Sequence, residues 1–211
     1  MRTTVSNATM KGIGALFVSA ALALSGCALP DKPVRAQAYD LGPPPVVPAT
    51  GGGAPLALDR IEAPAALDST ALVYRLVYAG GEQQPRSYAN ARWSMPPPQL
   101  LVQRLRHALV ARHAVLDGDS PMAALKLRVE LDEFDQVFGA PETSEGVVRL
   151  RVTVSTPAGA ARPRLLGQRD FVARQPAPTP DASGGALALR TASDEVLRQV
   201  VDWVGGLSAM R

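Results

Sequence analysis

Cysteine is nearly missing from this chain of 211 residues: it occurs once, at position 27. With a single thiol no internal disulfide can form, so the fold rests on packing whatever the redox state of its compartment. Histidine is almost as scarce, with only His107 and His113. Aromatic residues make up 5%, which leaves Leu, Val and Ala to build the core. No acidic residue precedes Asp31. No apolar run reaches the roughly 20 residues that a membrane-spanning helix needs.

These shortages exclude most chemistry. The two histidines lie six apart, and on one helix they would point in different directions, unlike the i, i+4 pair that holds a metal. Both are expected as solvated helix residues, and no metal site is expected. The stretch "ALPDKPV" beside Cys27 offers no base to activate a thiol. No serine sits in a Gly-x-Ser-x-Gly elbow. "DGDSP" (117–121) lacks the later carboxylate of a calcium loop and reads as a helix-stop turn. "GGG" (51–53) stands in proline-rich sequence, so it is no phosphate cradle. Asp132, Glu133 and Asp135 form an acidic cluster near a predicted hairpin tip, where a solvated face is expected rather than acid–base catalysis. The reading is therefore a non-enzyme with no catalytic residue and no cofactor beyond a covalent lipid, argued next.

At the start, Arg2 and Lys11 precede "IGALFVSAALALSG", apolar from Ile13 to Leu24. A basic start, a short apolar core and small residues at the exit are the pattern of a secretory signal. Leu24, Ser25, Gly26 and Cys27 match the lipobox of bacterial lipoprotein signals. That match implies cleavage between Gly26 and Cys27 and lipid attachment to the Cys27 sulfur. One acyl chain binds a bilayer only marginally, and the two or three carried by lipobox proteins hold it almost permanently. Ala28 follows the cysteine where an aspartate would favour retention at the inner membrane. The expected place is the periplasmic face of the outer membrane.

The sequence pI of about 9.3 suggests a nucleic-acid binder, but the leader distorts it. Without residues 1–26, Lys+Arg falls from 22 to 20 against 19 Asp+Glu, and the net charge from +3 to +1. The arginines are spread from Arg35 to Arg211, whereas a nucleic-acid binder gathers its cations on one face. Nucleic acid is not an expected partner.

Three segments follow: the leader 1–26, a lipidated Pro/Gly-rich tether 27–55, and a domain 56–211. "LGPPPVVPATGGGAP" cannot bury enough apolar surface to order itself, although a short first strand is open near 37–41. Strands are expected at "PLALDRIEA", at 71–79 and, after a "GGEQQP" hairpin turn, at 86–93. "SMPPPQLLVQRLRHALVARH" reads as an amphipathic helix ending at "LDGDSP". Leu101, Leu105, Ala108 and Leu109 form its stripe, with Arg104 and His107 facing away. "ALKLRVELDEF" and "VVRLRVTVST" alternate strictly, which gives an antiparallel hairpin across "GAPETSEG" with one wet face. The alternation slips near Glu133, so a bulge is expected there. A strand at 165–175, a loop at "PAPTPDASGG" and a helix through Leu189, Ala192, Val196, Val200, Trp203 and Leu207 complete the domain. The fold class is α+β: a mostly antiparallel β-sheet with two amphipathic helices packed on one face.

"YANARWSMPPPQLLVQRLRHAL" (88–109) and "APAALDSTALVYR" (63–75) resemble the ABC-type transport auxiliary lipoproteins. This family includes the paraquat-inducible lipoprotein component of Mce-type lipid transport systems. The order of lipobox, strand, hairpin, helix, two long strands and helix is similar as well. The resemblance implies an accessory subunit whose partners are a membrane, a Mce-domain protein, an ABC permease and an ATPase; assembly with further copies of itself is also open. The alternative is an outer-membrane lipoprotein that binds an apolar ligand or aids outer-membrane assembly. Tyr88 and Trp93 are either packing residues or aromatic anchors for a partner, and an unpaired sheet edge is a further docking candidate.

Overall fold

Two long alternations form the centre of the molecule. Strand β6 (Leu125–Ala140) pairs antiparallel with β7 (Thr143–Ser155), from Lys126 opposite Ser155 to Ala140 opposite Thr143. Leu127, Val129 and Leu131 of β6 and Val148, Leu150 and Val152 of β7 are buried on one face. The pairing runs through most of the predicted loop and leaves only Pro141 and Glu142 at the turn. Gly146, expected among the turn residues, stands inside β7 where a helix crosses: a Cβ there would lie 2.5 Å from the Leu189 nitrogen. Its glycine serves close approach, not a bend. The bulge is present, with the register shifting between Leu131 and Glu133. Beyond it the parity changes, so Phe134, Gln136 and Phe138 continue the buried row.

The computed structural model describes residues 35–118, 120–157, 160, 162 and 164–209. The leader 1–26, Gly26 and Cys27 lie outside them. The described residues form one sheet of eight strands. β8 (Leu165–Pro176) pairs antiparallel with β7. On the other edge of β6, two short sets follow one another. β2 (Gly53–Leu58) runs parallel to β6 at Leu125–Leu127, and β5 (His113–Asp117) runs parallel to β2. Further along, β3 (Ala71–Leu76) runs parallel to β6 at Gln136–Phe138. β4 (Arg86–Trp93) is antiparallel to β3, and β1 (Gln37–Tyr39) is parallel to β4. The sheet is mixed, but its long ladders are antiparallel. Helices α1 (Pro97–Val110) and α2 (Ala182–Ala209) complete the α+β architecture. Leu101, Leu105 and Leu109 of α1 and Leu189, Ala192, Val196 and Val200 of α2 belong to one buried cluster with β6 and β7.

Five expectations need correction. First, α1 stops at Val110, and the residues expected to continue it to "LDGDSP" form β5 instead. All of Leu56, Ala57 and Leu58 in β2 are buried, and a strand buried on both faces needs backbone partners on both edges; β5 supplies the second. Second, His113 is consequently no solvated helix residue. It is buried on β5 with Nδ1 3.0 Å from the Ala54 carbonyl oxygen. Third, Arg104 does not face away; it is 6% exposed. Fourth, structure begins well inside the 27–55 segment. β1 at 37–39 is the short strand left open there, but beyond it Leu41 is buried and β2 already starts at Gly53. The Thr50 and Gly51 N–H groups donate to the Ala111 carbonyl at 2.8 and 3.1 Å. Backbone pairing at Thr50 and Gly51, burial of Leu41 and the Arg104 guanidinium together order a stretch whose own composition could not order itself. Fifth, β3 ends at Leu76, and Val77–Ala79 turns as a short 3₁₀ segment closed by Gly80 at φ 68°.

Candidate interaction site

Trp93 ends β4 with its indole in the core. It is 1% exposed and meets Phe134 edge-on at 5.4 Å between ring centres. Of the two roles open to it, packing is where the structure places it, and a side chain so enclosed presents nothing to a partner. Tyr88, on the same strand, is half-buried against Tyr74 at 4.7 Å. Its hydroxyl donates to Gln136 Oε1 at 2.8 Å. Gln136 is fully buried, and its Nε2 donates to Ser144 Oγ at 2.8 Å and to the Asp181 carbonyl at 3.2 Å. Burial first, then the neighbouring Tyr74 and Asp181, push the Tyr88 phenol up to about 12. Tyr88 thus ties β4 through β6 to the start of α2. Trp93 and Tyr88 share a strand but no site.

The other face of the sheet carries a cleft of about 1030 Å³. The bulge in β6 creates its floor, because past it Glu133, Asp135 and Val137 point away from the helices. β3 contributes Val73 and Arg75, and the turn at Pro64–Leu67 forms a wall. Here the acidic cluster departs from the expected solvated face: Asp135 is 2% exposed. Arg75 Nε donates to Asp135 Oδ2 at 2.5 Å, and an Arg75 Nη donates to the Glu82 carbonyl at 2.7 Å. Asp135 Oδ1 is buried with no hydrogen-bond partner. Arg149 pairs with Glu133 at 3.3 Å, and Arg174 pairs with Glu145. Beside the cleft, Arg151 donates to Asp170 at 3.0 Å and faces Asp132 at 3.5 Å. The Asp170 hydrogen bond and then the Asp132 charge hold its guanidinium above the usual range.

Sequence pattern missed Arg75 and Asp135 as a pair because they are 60 positions apart; the usable signal was the parity change at the bulge. It also missed a clasp on the helix side. Arg104 of α1 reaches Asp194 of α2 at 2.5 Å and donates to the Leu41 and Gly42 carbonyls, both at 3.0 Å. The segment Pro44–Pro48 borders the groove of about 430 Å³ between these helices. Among the described residues β8 pairs only with β7, so its outer edge, like those of β1 and β5, is open to a docking strand. Among the described residues no helix is long and apolar enough to cross a membrane, and no group of three or more His, Cys, Asp or Glu is placed to hold a metal ion.

With this geometry in view, comparison with known proteins gives three results. A family model described as "ABC-type transport auxiliary lipoprotein component" matches residues 39–201, more than half of the chain. No curated protein sequence matches it. Protein XCC0632 from Xanthomonas campestris, a DUF330 protein, has a similar solved structure. Its TM-score is 0.65 at 18% identity, over 83% of this chain and 96% of that one. The hypothetical protein CT253 from Chlamydia trachomatis is similar with TM-score 0.55 at 10% identity, over 76% of this chain and all of that one. At such identities the solved structures speak for the fold alone.

Proposed function

This chain belongs to the ABC-type transport auxiliary lipoprotein family, and from that premise we propose that it is the lipid-anchored, non-enzymatic accessory subunit of an ABC transporter of the Mce type, serving lipid transport between the envelope membranes. The observation that carries this reading is the family match itself, which begins at Tyr39, in β1, and runs to Val201 in α2. The Leu24–Cys27 lipobox stands a short way upstream. In this reading Cys27 carries the acyl chains and Gly26 is the last residue removed. The expected partners are a Mce-domain protein, a permease and an ATPase. Ala28 after the cysteine favours the periplasmic face of the outer membrane.

Acyl chains fix one end of the protein, so its work is contact rather than turnover, and docking must use the surface left free of core packing. The test is purification of a tagged, acylated protein from native membranes in mild detergent, with mass spectrometry of what comes with it. Recovery of permease, ATPase and Mce-domain subunits is the expected result. Their repeated absence sinks the proposal. In parallel, Cys27→Ala is expected to abolish labelling by palmitate and to leave the leader attached.

A further inference from the structure

We propose that the cleft on the helix-free face of the sheet is a docking site for a basic, extended segment of a partner protein, and that it takes the guanidinium or ammonium group of an Arg or Lys side chain. This deepens the reading above and rests on it. Three observations meet at this place. The cleft, of about 1030 Å³, is lined by five carboxylates, those of Glu82, Asp132, Glu133, Asp135 and Glu145, against three guanidiniums. All three guanidiniums are already engaged: Arg75 with Asp135, Arg149 with Glu133 and Arg174 with Glu145. The lining therefore carries two negative charges more than positive ones. Among the described residues Glu82 has no ion-pair partner, and the cation facing Asp132, Arg151, stands outside the lining.

The second observation is at the floor. Asp135 is almost wholly buried, yet only Oδ2 is bonded, and Oδ1 has no partner. That oxygen has almost no accessible surface of its own, so it offers a guest no direct hydrogen bond; it leaves negative charge at the floor that an incoming cation offsets at a distance. The third is the character of the walls. Val73, Val77, Pro64 and Pro85 present apolar surface between the charged groups, which suits the methylene stem of an Arg or Lys side chain whose head is held by carboxylates. The same lining disfavours an acyl chain, whose docking would strip water from eight charged groups without pairing them. Its surplus of negative charge disfavours an anionic headgroup.

The test uses the acylated, isotope-labelled full chain in detergent micelles, followed by amide NMR. The probes are acetyl-Gly-Arg-Val-Arg-Gly-amide, the same peptide with Glu in place of Arg, and phosphatidylethanolamine added to the micelles. The expected result is a saturable shift at Arg75, Val137 and Gly139 with the basic peptide alone. The exposed double change Glu82→Gln with Asp132→Asn is expected to weaken binding about tenfold and leave the rest of the spectrum unchanged. Equal shifts with the acidic peptide, no saturable shift in the cleft, or shifts only with phosphatidylethanolamine each overturn the proposal. A failure here while permease, ATPase and Mce-domain subunits still co-purify removes the docking site and leaves the accessory role standing. Loss of those subunits removes the role itself.

Discussion

Arg104 and Asp194 join the two helices through a forked ion pair: Nε donates to Oδ1 at 2.5 Å and Nη2 to Oδ2 at 2.9 Å. Nη1 of the same guanidinium holds the carbonyls of Leu41 and Gly42. One side chain thus connects α1, α2 and the segment arriving from the N-terminal side. Arg104→Ala leaves the Asp194 carboxylate and both carbonyls without their donor, and is expected to lower stability by about 3 kcal/mol, as loss of one partner of a buried pair does. Arg104→Lys keeps the charge and loses the fork, so it is expected to fall between. Urea unfolding measures the loss. Amide exchange should quicken at Gly42, whose N–H bonds to Asp40 Oδ1, in the alanine variant. Unchanged exchange there would show that the clasp does not hold this segment.

Why was this clasp illegible from the residue pattern while the elements around it were not? Alternation and helical spacing report which face a residue occupies. They made β6, β7, α1 and α2 readable, together with the bulge at Glu133. They assign every charged residue to the outside unless its partner is known, and Asp194 stands 90 positions from Arg104. The cleft was hidden in the same way: Asp135 shares a strand with Asp132 and Glu133, but its burial depends on Arg75 from β3. β5 was lost for another reason. It has only five residues and directly follows a helix, so periodicity cannot separate it from one more turn. Its existence is set by the open edge of β2.

Close approach at Gly146 makes a sharp prediction. A Cβ placed there would lie 2.5 Å from the Leu189 nitrogen and 2.6 Å from the Ala188 carbonyl carbon, both backbone atoms of α2 that cannot turn aside. Gly146→Ala is expected to destabilise by about 2 kcal/mol through overpacking. Gly206, also glycine and within α2, has open space where its Cβ would be. Gly206→Ala is expected to stabilise by up to about 1 kcal/mol, the helix-propensity difference. Thermal or urea midpoints of the two variants should move in opposite directions. Equal shifts would mean the α2–β7 contact is looser than this packing.

The Tyr88 phenol, pushed up to about 12 by burial, gives a spectroscopic signature. Its ionisation, followed by ultraviolet absorbance, should appear about two pH units above the usual phenol and vanish in Tyr88→Phe. The sign follows from the raised value: the neutral phenol is favoured in the fold, so the stability it contributes is complete below about pH 10 and declines as pH rises towards 12. The phenylalanine variant also leaves Gln136 Oε1 without its donor, at an expected cost of about 1–2 kcal/mol at neutral pH. An ordinary phenol titration would mean that Tyr88 is not buried beside Tyr74 and Asp181 as described.

Asp181 governs the other end of stability. Its Oδ1 accepts the Gly184 N–H at 2.8 Å and the hydroxyls of Ser183 and Thr179, both at 2.8 Å, which makes it the N-cap of α2. The Gly184 N–H first, then the Ser183 and Thr179 hydroxyls, hold its carboxyl below the usual 3.8. A depressed carboxyl contributes stability that is fully present above its unfolded value and is lost as pH falls through the folded one. Asp181→Ala is expected to cost about 1 kcal/mol at neutral pH, the usual worth of a cap. Asp181→Asn keeps the cap oxygen without the charge, so it should cost only a few tenths of a kcal/mol at neutral pH. As pH falls below the usual carboxyl range, the difference between Asn and the native chain should shrink, because the native carboxyl is itself becoming neutral. Urea midpoints at neutral and at acidic pH decide it. A gap between Asp and Asn that stays constant with pH would mean that the charge of Asp181 does nothing for α2 and that only its hydrogen bonds matter.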